Sequence, residues 1–146
     1  MITVRFEVKG KKMAVKRISV HCVEIEDKPG GLQKLLEKAA AANVDFQCFT
    51  AFSAGGGMGR VCLSAKSGEA LKTFAQGAGI EVTQAAGFVI SSADKVGAAA
   101  EALKGLSDAG INGIAGAAMV CDGQYHMLVV VNAADGDAAE KALAAA

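Results

Sequence analysis

The residues best suited to do chemistry are Asp27-Lys28-Pro29-Gly30-Gly31-Leu32. They sit between an apolar strand pattern, Ile18 to Ile25, and an amphipathic helical pattern from Leu32 to about Ala42. The chemistry on offer is anion recognition rather than bond-making. The Asp27 carboxylate is spaced to cap the helix by accepting the N–H of Gly30, three residues on. Pro29 suits a first helical turn, where its missing N–H costs nothing. Gly30 and Gly31 leave the main chain open to close approach from outside. A helix N-terminus presents free N–H groups and a partial positive charge, and so favours a carboxylate. The same hexapeptide also serves as a plain strand-to-helix turn, and taken alone it fits that use better.

Other constellations carry less. His21 and His126 each lie in a strand pattern. His21 and Cys22 are neighbours on a strand and so point to opposite faces. His126 and Cys121 could meet across a hairpin, but nothing marks a third group to orient them. No catalytic residue is assigned, and an enzyme ranks last among the function classes. No Cys-x-x-Cys or His-x-x-x-His occurs, so neither a metal nor any other cofactor is expected. The glycine run Gly55 to Gly59 lacks the Gly-Lys-Ser/Thr ending of a phosphate loop and joins two strands, which makes it a mobile hairpin.

Composition narrows the classes further. The chain has 146 residues, enough for one domain or two of roughly 70 each. Hydrophobic residues are 52% but aromatics only 5%, so the core must be aliphatic and alanine-rich, with elements in close contact. Lys+Arg and Asp+Glu are 15 each, a balance that argues against a nucleic-acid partner. The early basic cluster (Lys9, Lys11, Lys12, Lys16, Arg17) reads as a solvated hairpin turn and its flanks, with a weak phosphate-binding patch as the lesser alternative. No apolar run reaches the roughly 18 residues of a membrane span, and no signal peptide is evident. Four widely spaced cysteines (Cys22, Cys48, Cys62, Cys121) suit reduced thiols in a cytoplasmic protein.

The elements that must position the glycine turn follow in order. Ile2–Val8 reads as a strand, 9–12 as a turn, and Met13–Ile25 as a longer strand. The helix carries Leu32, Leu35, Leu36 and Ala39 on one stripe. Strands over 44–52 and 60–65, a helix over 68–78 and a short strand, Ile80–Val82, come next. Then the order repeats, with strands over 87–91, 111–120 and 125–131 and helices after Gly97 and from Asp135. Asp27 maps onto Asp94, Gly30 onto Gly97, Val44 onto Ile111 and Cys62 onto Val129, each with an offset of 67.

A shared offset across a turn, a helix and two strands implies a duplicated β-α-β-β-α unit. With one further strand per copy, each becomes a ferredoxin-like βαββαβ sandwich: an antiparallel sheet with two helices on one face, an α+β fold. Domains of 1–79 and 80–146 follow. The second copy runs out of chain before a last strand, and the first has one to spare. Local pairing predicts that Ile2–Val8 forms a hairpin with Met13–Ile25 and fills the last slot of copy one, while Ile80–Val82 pairs with Gly87–Ser91 for copy two. The rival keeps Ile80–Val82 in copy one and sends Ile2–Val8 to copy two. An RNA-recognition module shares this element order, but the strands over 60–65 and 127–131 lack the aromatics that stack bases.

With the repeat in place, the sequence resembles the ACT-domain family, small ferredoxin-like modules that bind amino acids and regulate metabolic enzymes. The likeness lies in Ile25-Glu26-Asp27-Lys28-Pro29-Gly30-Gly31-Leu32 and in Ala42-Asn43-Val44-Asp45 after the helix. The second copy keeps Asp94, Gly97 and Ala109-Gly110-Ile111-Asn112, with Val96 for the proline and Ala98 for the second glycine. The resemblance implies modules side by side, with an amino acid in the groove between them. Gly30 and Gly31 would then give N–H groups to its carboxylate. Asp45 and Asn112 would meet its ammonium or side chain, though Asp45 stands where the family has asparagine. The resemblance implies ligand contacts from Asp27, Lys28, Pro29, Leu32, Asp94, Gly97 and Ile111 too, a weaker second site, a homodimer and a regulated enzyme as partner. The expected function is a non-catalytic amino-acid sensor. The alternative is an interaction module whose site is vestigial.

Overall fold

The computed structural model describes residues 4–8 and 11–145. Ile2, Thr3 and the Lys9-Gly10 turn lie outside the described residues. The chain runs β1 (Val4–Val8), β2 (Lys11–Glu26), α1 (Gly31–Ala41), β3 (Phe46–Gly55), β4 (Met58–Ala65) and α2 (Gly68–Gly77). It continues with β5 (Thr83–Ala93), α3 (Ala98–Asp108), β6 (Gly113–Cys121), β7 (Gln124–Asn132), a 3-10 turn (Ala133–Asp135) and α4 (Gly136–Ala145). The 67-residue offset holds through the elements: it carries Gly31–Ala41 onto Ala98–Asp108 residue for residue.

The chain divides into two compact units, residues 19–84 and residues 1–18 with 85–146. In the first, the strand order is β3-β4-β2, all antiparallel pairs. Val23, Val61, Leu63 and Ala65 on one sheet face pack with Leu35 and Ala39 of α1 and Leu71 of α2. Alternation along the strands puts these apolar residues on the helix side. Ser67 caps α2, its hydroxyl accepting the Ala70 N–H at 3.2 Å. In the other unit the order is β2-β5-β7-β6, with β1 paired to β2. Phe88, Ile90, Met127 and Val129 there pack with Ala98, Ala102 and Leu106 of α3 and Ala139 and Leu143 of α4. Alanines on both helices allow the close approach that an aromatic-poor core requires. Among the described residues, no helix is long and apolar enough to cross a membrane.

Two expectations about strand partnership need correction. The β1–β2 hairpin forms, with Val4 opposite Val15 and Val8 opposite Lys11. It belongs with the second copy rather than filling the last slot of the first. The reason is the length of β2: its first half, 11–18, groups with 85–146, and its second half with 19–84. One 16-residue strand thus supplies the first strand of copy one and the closing strand of copy two. Ile80–Val82 is not a strand; Ile80 and Val82 pack as side chains against the copy-one core. The compact units therefore place residues 1–18 with 85–146 and residues 80–84 with 19–79.

Arg17 shows what holds that first half in place. It was expected to be solvated, but its guanidinium reaches Asp137 at 2.8 Å and Glu140 at 2.7 Å on α4. Those bonds raise the Arg17 pKa, and the guanidinium lowers that of Asp137. Gly136 leaves room for it: a Cβ there would lie 2.6 Å from an Arg17 nitrogen. Val15 is 4% exposed in the same core as Phe88 and Val131. Val15→Asp buries a lone carboxylate and is expected to cost about 3 kcal/mol or more. Amide hydrogen exchange should then lose protection in β5 and β7 while β4 keeps its own; the opposite pattern would return 11–18 to the first unit.

Candidate functional site

The glycine turn is built differently from the sequence expectation, and more openly. The helix is capped by Gly30, not Asp27. Gly30 is left-handed, φ 81° and ψ −4°, and no side chain caps it. Only glycine adopts this region without steric cost. Pro29 consequently falls before the helix rather than in its first turn. The Gly31 N–H donates to the Lys28 carbonyl at 3.0 Å and the Lys34 N–H to the Gly30 carbonyl at 3.0 Å. The N–H groups of Leu32 and Gln33, in the first turn, have no carbonyl four residues back within the helix.

The two glycines do different work. Around Gly30 an added Cβ would meet nothing within 4 Å, so the space beside it is open. At Gly31 an added Cβ would lie 2.7 Å from the Glu26 carbonyl oxygen. The close approach at Gly31 is thus made by the chain's own strand end, not by an outside group. The second copy repeats the cap: Gly97 has φ 86° and ψ 0°, with the Ala98 N–H on the Lys95 carbonyl at 3.2 Å and the Glu101 N–H on the Gly97 carbonyl at 3.0 Å.

Asp27 has another task. Its N–H donates to the Gly57 carbonyl at 2.9 Å, and its carboxylate accepts the Ser53 hydroxyl. The turn is therefore pinned to the β3–β4 hairpin, whose two-residue loop is Gly56-Gly57. Asp94 repeats this, its N–H donating to the Gly123 carbonyl at 3.1 Å. Ser53 is not singled out by the sequence; Gly57 is, but only as part of the glycine run that forms the hairpin. Lys28 is paired with Glu26 and Lys95 with Glu101, the latter at 2.7 Å. Leu32 packs into the copy-one core and Ile111 into the copy-two core.

Asp45 and Asn112 do not join their own copy's turn. Within residues 19–84, β3 runs parallel to the second half of β2, so its start lies at the far end of the sheet from Asp27. Ten residues of β3 separate the two, roughly 30 Å. The Asp45 carboxylate is engaged by Lys66 at 2.5 Å, and the Lys66 N–H reaches the Asp45 carbonyl at 2.8 Å. This pair clamps the start of β3 to the end of β4. Asn112 occupies the matching place before β6 and is exposed. At that far end of residues 19–84, an open groove of about 870 Å³ lies between α1 and α2, lined by Lys38, Glu69, Thr73 and Phe74 among others.

Catalytic candidates stay apart. Cys121 lies opposite Gln124, while His126 faces Met119 and bonds Ser91 at 3.0 Å through Nδ1. His21 is 1% exposed, and neither ring nitrogen has a partner among the described residues.

The family model described as ACT domain pair matches residues 13–143. The chain belongs to the ACT domain pair family. Among curated proteins none matches the sequence. Solved structures share the fold of this ACT domain pair at low identity. A Bacteroides thetaiotaomicron protein is 16% identical with a TM-score of 0.71, covering 88% of each chain. The regulatory subunit of aspartate kinase from Thermus thermophilus, in ligand-free form, is 16% identical with a TM-score of 0.62, over 90% of this chain and 93% of that one. The corresponding subunit from Thermus flavus is 16% identical with a TM-score of 0.61, over 90% and 94%.

Two predictions follow from this geometry. Gly31→Ala drives a Cβ into the Glu26 carbonyl and should destabilise by about 1–3 kcal/mol, whereas Gly30→Ala meets no neighbour and should lose only the left-handed penalty, about 1–2 kcal/mol; chemical denaturation of both variants ranks them. His21 gives a pH signature. Burial lowers its pKa from 6.5, and the Lys72 charge adds to this. The ring is neutral in both states above that value. Below pH 6.5 the unfolded chain binds the proton first, so stability should fall by up to about 1.4 kcal/mol per pH unit. His21→Leu should flatten that slope.

Proposed function

We propose that this ACT domain pair is a non-catalytic sensor that binds a small amino acid on the main chain of its strand-to-helix turns and relays occupancy to a metabolic enzyme. The observation that carries the proposal is the open left-handed cap at Gly30, beside first-turn N–H groups with no helical acceptor. An amino-acid carboxylate there would complete bonds that the helix leaves unmade. The ligand ammonium would lie toward Asp27 and the hairpin carbonyls. Gly97 offers the same cap, but Ala98 and the exposed Val96 give that turn more side-chain bulk, which supports weaker binding there. Lys28, Pro29 and Asp94 would frame the turns, with Leu32 and Ile111 fixing the elements beneath, while Asp45 and Asn112 stand at the other end of their own sheets. The enzyme partner is supported by solved neighbours that are regulatory subunits of a kinase.

A second reading, an interaction module that binds no small molecule, is favoured by the outer strands. Neither β3 nor β6 contains a charged residue or proline, and natural edge strands usually carry such residues to block pairing. Phe49 and Phe52 on β3 and Met119 and Val120 on β6 are exposed. A homodimer would satisfy either reading.

Thermal-shift screening against the twenty amino acids decides between the two. A ligand at 100 times its Kd stabilises by about 2.7 kcal/mol, which should raise Tm by roughly 5–10 °C. Gly30→Val should abolish the shift, Gly97→Val should reduce it less, and Lys38→Ala in the α1–α2 groove should leave it intact. No shift with any amino acid would favour the interaction module.

A further inference from the structure

Cys22 on β2 and Cys62 on β4 stand directly opposite each other in the antiparallel register. Both are free thiols, and their sulfurs lie 2.7 Å apart. Opposed residues on antiparallel strands have Cα atoms about 4.5–5.5 Å apart, inside the window that a disulfide requires. The register thus places the pair within reach of a disulfide. The pair is unequal in access: Cys62 is 1% exposed, whereas Cys22 is half-buried. One step along the same face, Glu24 and Arg60 form an ion pair at 3.2 Å, which sets a guanidinium beside the thiols.

We propose that Cys22 and Cys62 form a thiol–disulfide exchange site whose reaction partner is a low-molecular-weight disulfide of the glutathione class. The Cys22 thiolate attacks one sulfur of the small disulfide, forming a mixed disulfide and releasing one thiolate. Cys62 then attacks the Cys22 sulfur, closes the protein disulfide and releases the second thiolate. The two protein thiol protons end on the two departing thiolates. Two protein thiols are oxidised to one disulfide, and one small disulfide is reduced to two thiols.

The environment assigns the order of attack. The hydrogen bond with Cys62 holds the Cys22 thiol below its ordinary value; burial opposes it, and the Arg60 charge adds a smaller lowering. The same bond, followed by burial, pushes Cys62 up. The reachable sulfur is thus the readier thiolate, which marks an attacking residue, and the enclosed one is its resolving partner. The closed bond would tie β2 to β4 upstream of the Glu26–Met58 pair, where the two strands leave for the turn and its hairpin. The proposal does not rest on amino-acid binding.

The test treats the reduced full chain with glutathione disulfide, alkylates the remaining thiols and maps the peptides by mass spectrometry. The expected product has Cys22 joined to Cys62, with Cys48 and Cys121 alkylated, and dithiothreitol reverses it. Cys62→Ser should stop at one glutathione on Cys22. Cys22→Ala, at the less enclosed position, should leave Cys62 unmodified, and it serves if the Cys62 variant fails to fold. Alkylation of Cys22 and Cys62 as complete as that of Cys121 would overturn the proposal. So would glutathione on Cys62 in the Cys22→Ala chain, or a linkage running through Cys121.

Discussion

The first helix of each copy, α1 and α3, must double back over the strand it has just left, within four residues. An ordinary residue in that bend would carry its Cβ into the following carbonyl, because the path demands a left-handed step. Gly30 and Gly97 take that step at φ 81° and φ 86°. The rest of the turn is then forced. In the first copy the Glu26 carbonyl lies against Gly31; in both copies the first helical N–H closes on the carbonyl three residues back, and the next N–H groups lack a helical acceptor. A capping side chain has no place in this design, because the residue that would supply one must be glycine. The turn is instead braced from outside by the hairpin of the same sheet, through the N–H of Asp27 in one copy and of Asp94 in the other.

That brace explains which parts of the site could be read from sequence. The repeat was legible because glycine at 30 and 97 and apolar residues at matched helical positions answer to local rules. The two eleven-residue helices coincide under the offset. The capping role of Asp27 was misjudged for a specific reason. An acidic residue three before a potential N–H fits a side-chain cap equally well whether or not a left-handed glycine intervenes. Only the helix path over Glu26 decides between the two. Ser53 was invisible because its partner lies 26 residues away, across a hairpin.

The partnership of the strands failed for a different reason. Local hairpin pairing describes β1 and β2 correctly, since closing a short loop costs little entropy. What it cannot see is one strand long enough to serve two sheets. Residues 11–18 and 19–26 form a single strand, with no glycine or proline to mark the change of allegiance. The residues that fix the change lie far off in sequence: Asp137 and Glu140 bond Arg17, and a glycine at 136 makes room for it. The same limit hid the thiol pair: Cys22 and Cys62 read as separate strand residues until the register set them face to face.

The division of labour along each sheet bears on what a ligand could feel. Asp45 is tied to Lys66 at one end of residues 19–84, and the glycine turn lies at the other, roughly 30 Å away. A single amino acid spans far less than that. On the proposed reading, recognition at the turn of this unit would come from main-chain N–H groups, from Asp27 and Ser53, and from the hairpin carbonyls. Main-chain donors grip the carboxylate that all amino acids share and do not discriminate among side chains. On that reading, discrimination would come from what faces the open space beside Gly30, where an added Cβ would meet nothing within 4 Å. The hairpin bonded to Asp27 carries small residues at 53–57. Enlarging them should narrow the range of ligands before it weakens the hold on the carboxylate, because the N–H groups belong to the helix and stay where Gly30 puts them.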